Sequence, residues 1–282
     1  MTIQRAAAKM RFPGPVIAIL PTMRQIIVAM PLWAIAAVLT LFFWGVTLAA
    51  REFVLRRRDA EAREVLADQA SNLLTGVAAT FAFFVGFAIS ISWGAVTASQ
   101  VAVEQQATAV RQMAWELNNI RDPAQSAALT EKLRTYAVTA AQEDARLLVK
   151  GVTAQLPSAA PLDAFENALQ AYAYRPTTPE RQIAPLTAAA STLSSSAAGV
   201  EVVASRALPR PLLGLLVIVG VLTSILMGIT TVVYRKPSLI FVWCVIPAVS
   251  ITTVMALAYP FAMRSGMTLA PIQTIAEQLT AR

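Results

Sequence analysis

Residues 71–97, SNLLTGVAATFAFFVGFAISISWGAVT, contain no charged side chain, and this run decides the class of the molecule. An α-helix rises about 1.5 Å per residue and a bilayer's hydrocarbon core is roughly 30 Å thick, so about 20 apolar residues cross it. The run exceeds that length. Counting at three- and four-residue steps, Gly76, Ala79, Phe83, Gly86, Ser90, Gly94 and Thr97 share one side of the predicted helix. Small and hydroxylic groups dominate this face, which suits either close contact with another helix or the lining of a path.

Composition agrees with the run. Hydrophobic residues make up 56% of the 282 and charged ones only 14%, against about 25% charged in an ordinary soluble domain. The sequence has no histidine and a single cysteine, Cys244, inside an apolar stretch. No zinc, haem or intrachain disulfide chemistry is expected, and no cofactor. The net charge of +7 comes from basic residues beside apolar runs, where they anchor helix ends at headgroups; no nucleic-acid partner is expected.

The fold expected is an all-α integral membrane protein with four transmembrane helices and a helical extramembrane domain inserted between the second and third. Residues 1–25 read as a basic interfacial arm with Arg5, Lys9, Arg11 and Arg24, interrupted by prolines, without a convincing cleavable signal. The first span is predicted over 26–50, with Pro31 in its first turns. A charged, helical connector follows over 51–70, a solvated face with i,i+4 pairs such as Asp59 with Arg63. Together these make a unit over 26–97.

The second span runs on without a breaker, and Val103, Ala107, Val110, Ala114, Leu117 and Ile120 continue the helical spacing. Asp122 before Pro123 is a helix start, opening a helix to Lys150 with a stripe of Leu129, Leu133, Tyr136, Ala140 and Leu147. A helix over 161–174 carries Leu162, Phe165, Leu169 and Tyr172, and another over 179–207 carries Ile183, Leu186, Ala190, Leu193, Ala197 and Val200. Residues 98–209 thus read as the helical domain, with ten acidic and ten basic residues between 99 and 210. The acidic pair Glu143 and Asp144 beside Arg146 reads as solvated helix surface.

Spans three and four, within 210–261, are predicted over 212–234 and 239–261. Gly220, Ser224 and Gly228 are four apart, a small-xxx-small signal for helix contact that leaves the partner open. Pro247 interrupts the fourth span. Residues 262–282 are a tail ending in an amphipathic piece with Ile272, Ile275 and Leu279.

This order of features resembles the bestrophin-like domain family of bacterial membrane proteins. The carrying residues are Asn72 and Gly76 at the start of the second span, Gly86 and Phe87 within it, Trp93 near its end and Glu104 beyond. Later landmarks are Arg206 before Leu208 and Pro209, then Tyr259, Pro260 and Phe261, with Ser265, Gly266 and Pro271. Members often carry an alanine and then an acidic residue after the Glu104 position, where this chain has Gln105 and Gln106. The resemblance implies a relation to bestrophins, oligomeric anion channels with two spans, a helical insert and two more spans, the insert being cytosolic.

Four spans place both termini and the helical domain on one side. The positive-inside rule favours cytoplasmic connectors, given Arg51, Arg56, Arg57, Arg58, Arg63, Arg235 and Lys236. That puts the helical domain outside a bacterial plasma membrane, opposite to the bestrophin arrangement. An enzyme is not expected, because hydrolysis or transfer wants a nucleophile with a base, a metal cluster or paired carboxylates in a cleft, and the chain has no histidine and no acidic residue inside any span. The leading functional reading is a membrane-anchored interaction, sensing or accessory subunit acting through the helical domain, as a homo-oligomer or part of a larger complex in the bilayer. The alternative is an oligomeric bestrophin-like anion channel with the second span lining the path.

Overall fold

The computed structural model describes residues 30–150, 152, 156–176, 178–205, 210–233, 240–259, 261 and 269–281. Among them there are helices and no strands. Four helices are long and apolar enough to cross a membrane: Leu32–Arg57 (α1), Ala60–Asn118 (α2), the stretch Pro211–Val233 and Ile240–Ala258 (α8). Between the second and third lie α3 (Pro123–Thr139), α4 (Ala145–Val149), α5 (Ala159–Ala173) and α6 (Glu180–Ser205). The third is α7 (Arg210–Thr230) with a 3₁₀ turn at Thr231–Val233, and α9 (Ala270–Thr280) closes the chain.

Pro31 does not sit inside the first helix as expected; it precedes it, in an extended conformation with φ −66° and ψ 147°. Its ring lacks the N–H that a helix interior needs, so α1 begins at Leu32. The expected residues 26–29 of that span lie outside the described residues. At the other end α1 carries through the arginines to Arg57, and the chain breaks only at Arg58 and Asp59 before α2. Arg63 closes this corner. Its Nη2 donates to the Leu55 carbonyl and its Nε to the Arg58 carbonyl, both at 2.7 Å. Arg63 therefore satisfies carbonyls that α1 leaves open rather than pairing with Asp59, and the i,i+4 ion pair formed is Arg56 with Glu52 at 2.7 Å.

α2 is one helix of 59 residues. At 1.5 Å per residue it is about 88 Å long, far more than a bilayer needs. Its 71–97 portion packs on α7 and α8: Phe81 and Ala88 join Phe43, Leu216, Cys244, Ala248 and Ile251 in one apolar cluster. Its later half joins a different one. There Met113 and Leu117 meet Leu133, Tyr136, Phe165, Leu169, Leu186 and Leu193 from α3, α5 and α6, together with Ile272, Ile275 and Leu279 from α9. The amphipathic tail is thus a wall of this second cluster, its apolar stripe turned against α2 and α3.

α3 starts as its sequence directs: an Asp122 carboxylate oxygen accepts from the N–H groups of Ala124 and Gln125 at 3.0 and 3.4 Å. The predicted stripe then slips. A π turn at Ala140–Asp144 adds a residue to one turn, so Leu148 is buried and the expected Leu147 is only half-buried. The same rotation carries Asp144 inside, at 4% exposure. The pair read as solvated surface is therefore split: Glu143 faces out and Asp144 faces in.

Candidate functional site

The face of α2 that runs through Ser90 distinguishes this molecule. Gly76, Phe83, Gly86, Ser90, Gly94 and Thr97 are all exposed, and so is Ala79. A β-carbon added at Gly76, Gly86 or Gly94 would meet nothing within 4 Å. Among the described residues, the side chains of the span that are buried, Phe81, Ala88 and Ser92, all lie on the opposite side. Packing against the described residues therefore does not explain these glycines. Phe83 stands out from this face at 70% exposure, edge-on to Phe84 with ring centroids 5.7 Å apart.

The hydroxyls on the spans obey the rule that polar groups in a bilayer find partners within the protein. Thr47, Thr223, Ser224 and Thr252 each donate to the carbonyl four residues earlier at 2.7–2.9 Å. Thr97 does the same toward Trp93 at 3.1 Å. Ser90 differs: its hydroxyl bonds to no described residue, and it points outward. The buried Ser92 hydroxyl also lacks a partner among the described residues.

The other glycine motif has a different role. Gly220, Ser224 and Gly228 are buried, and the two glycines face the first span. A β-carbon at Gly220 would approach the Phe43 ring at 3.1 Å. At Gly228 it would lie 2.9 Å from the Ala50 β-carbon and closer still to backbone. This stripe lets α1 and α7 touch. Thus one small-residue stripe is spent inside the subunit, and the other is left open among the described residues.

Of the remaining expected positions, Asn72, Trp93 and Glu104 are exposed on α2, and Phe261 is buried beside Ala102, Val103, Leu148, Val200 and Ala204. Arg206 and Pro260 lie outside the described residues. Glu104 borders an open groove of about 500 Å³ with Gln105, Thr108, Gln112, Thr192, Ser195 and Ser196. Gln106 is buried, and its Nε2 donates to the Tyr136 hydroxyl at 2.8 Å. A carboxylate at 106 would have to be buried against that phenol; the amide fits as a donor. Burial pushes the Tyr136 hydroxyl up to about 12.

Sequence reasoning missed the linkage of Asp144 to Ser158. The Ser158 N–H donates to Oδ1 at 3.1 Å and its hydroxyl to Oδ2 at 2.5 Å, tying the end of the α3–α4 segment to the start of α5. Burial raises the Asp144 carboxyl above its usual range, and the bonds from Ser158 pull it back. Nothing local announces a π turn, so this contact had no sequence signal.

Four apolar helices, buried faces that meet one another and hydroxyls bonded back along their own helices define an all-helical, multi-span membrane protein. Residues 37–264 match the model of the Bestrophin-like domain, and the chain belongs to that family. Solved structures agree at the level of the fold. A bacterial bestrophin homologue from Klebsiella pneumoniae, in a tryptophan-to-alanine variant, superposes with a TM-score of 0.65 at 13% identity, covering 89% of this chain and 98% of that one. The structure of that homologue phased on zinc gives 0.61 at 14% identity, with the same coverage. No curated protein matches the sequence.

Proposed function

We propose that the protein is an oligomeric ion channel in which the Ser90 face of α2 lines the path. The observation that carries this reading is the exposure of Gly76, Phe83, Gly86, Ser90, Gly94 and Thr97, with the side chains of the span that are buried among the described residues on the other side. Around a symmetry axis such faces form a wall of small side chains, with the free Ser90 hydroxyl available to permeating ions and Phe83 as an apolar constriction. Membership of the Bestrophin-like family supports the same reading, since bestrophins conduct as oligomers. The helices after residue 98 form an extramembrane domain, continuous with the path through the single rod of α2. The arginine-rich corner around Arg58 is cytoplasmic on the charge rule. Alkaline phosphatase fused after the last residue is then active, and an inactive fusion with a bright fluorescent-protein counterpart reverses the orientation.

Nothing in this arrangement calls for enzymatic chemistry. The test is reconstitution of the full chain in planar bilayers, with conductance expected and abolished by bulky substitution at Gly86. Silence from a well-assembled protein over a range of salts and pH would return the function to the interaction or accessory reading.

A further inference from the structure

We propose that Asp144 is a proton-operated latch on the joint between the helical domain and the spans: with its proton it holds the joint closed, and without it the joint loosens. The inference holds whether or not α2 lines a path. Three stretches of chain pass between domain and spans: the unbroken α2, the passage from α6 to α7 and the one from α8 to α9. One apolar cluster gathers all three. Ala102 and Val103 come from α2, Val200 and Ala204 from α6 and Phe261 from just beyond α8, while Leu148 of α4 completes it and Leu156 packs against it.

Leu148 and Leu156 belong to none of the three crossings; they brace the joint from the side. Leu148 stands four residues after Asp144 and Leu156 two before Ser158. The bonds from Ser158 to Asp144, at 3.1 and 2.5 Å, therefore tie the two braces together. What turns the carboxyl inward, to 4% exposure, is the π turn at Ala140–Asp144. Returning that turn to α geometry removes one residue from it and rotates the chain beyond by about 100°. Such a rotation takes Asp144 toward water and Leu148 out of the joint.

The proton decides between the two settings because of what surrounds the carboxyl. Glu143 lies beside it, Glu201 faces it from α6 and the Tyr136 phenol from α3, while α5 offers the Ser158 N–H and hydroxyl. Arg146 and Lys150 of its own segment are exposed, and among the described residues no lysine or arginine forms an ion pair with it. Burying a charge without a counter-charge is costly. Burial, with the two glutamates adding, accordingly raises the Asp144 carboxyl against the bonds from Ser158. The neutral acid stays inside at no such cost; the ionised one is driven outward, and the π turn is the element that lets it go.

The experiment is amide hydrogen exchange of the full-length protein in lipid nanodiscs between pH 4 and 8, corrected for the intrinsic rate at each pH. In wild type, protection over residues 145–150 and 200–205 should fall by about threefold or more as pH rises through the folded Asp144 value, while the core stretch 129–137 changes less. Asp144→Asn, which keeps a neutral group able to bond Ser158, should hold protection high and flat. Glu201→Gln removes one of the charges that raise the carboxyl and should move the fall to lower pH; Glu201 is exposed, so this variant should fold even if Asp144→Asn does not. Protection that is flat in wild type, or that rises with pH as for a carboxylate held by a cation, overturns the inference. So does a fall in Asp144→Asn equal to wild type, or a Glu201→Gln fall at the wild-type pH. The channel reading is untouched by any of these, since no current is measured.

Discussion

Gly228 of the third span lies so close to Thr47 of the first that a β-carbon on it would sit 2.4 Å from the Thr47 carbonyl oxygen. Backbone cannot yield as a side chain can, so Gly228→Ala must push α1 and α7 apart. The expected cost is about 1–3 kcal/mol, read as a lower unfolding midpoint in detergent. Gly220→Ala meets the Phe43 ring instead, at 3.1 Å, and should cost less. Gly86→Ala, with open space around it, should leave the midpoint of the isolated subunit unchanged.

Ser92 offers the opposite sign. Its hydroxyl is buried without a partner among the described residues, and an unsatisfied buried hydroxyl is a cost rather than a contribution. Ser92→Ala should therefore be neutral or stabilising by up to about 1 kcal/mol. A clear loss of stability would mean that the hydroxyl has a partner in the assembled protein.

Cysteines at Ser90 and Thr97 separate a path from a packed interface. With Cys244 replaced, a membrane-impermeant thiol reagent should modify both sites in the reconstituted oligomer. Cys244 is buried, its sulfur 3.6 Å from the Thr47 hydroxyl, so its replacement should be a small residue. Resistance at both positions would place the face in a subunit interface.

Asp144 makes stability depend on pH. Burial raises its carboxyl, with Glu143 and Glu201 adding in the same direction against the bonds from Ser158. A raised value means the folded protein holds the proton more tightly than the unfolded chain. The stabilisation is then complete below the unfolded carboxylate value of about 3.9 and is lost as pH rises through the folded value. Thermal midpoints should fall over that window in wild type, and Asp144→Asn should flatten the curve. Asp144→Ala, which removes both bonds to Ser158, should cost about 1–3 kcal/mol at acid pH.

Much of this architecture was readable because it is local. The uncharged run 71–97, the absence of any breaker after it and the Asp122–Pro123 start each act within a few residues, and each appears in the structure where the sequence places it. The α3 stripe was legible only as far as Ala140. Beyond it the π turn moves burial from Leu147 to Leu148 and brings in Asp144, a shift of one residue that no periodicity of type or charge predicts. The small face of α2 was legible as a pattern. Its lack of any partner among the described residues was not, since a stripe of glycines reads alike whether covered or open.

By itself the sequence determined that this chain is helical and lies in a membrane, because span length, hydropathy and helix caps are properties of contiguous residues. It also determined which residues share a helix face. Only the tertiary structure decided what each face meets: Gly220 and Gly228 the first span, Ile272 and Ile275 the core built on α2, and the Ser90 face nothing among the described residues. The physical reason is that periodicity sets the direction of a side chain about its own helix axis, whereas its partner depends on packing between segments far apart in the chain.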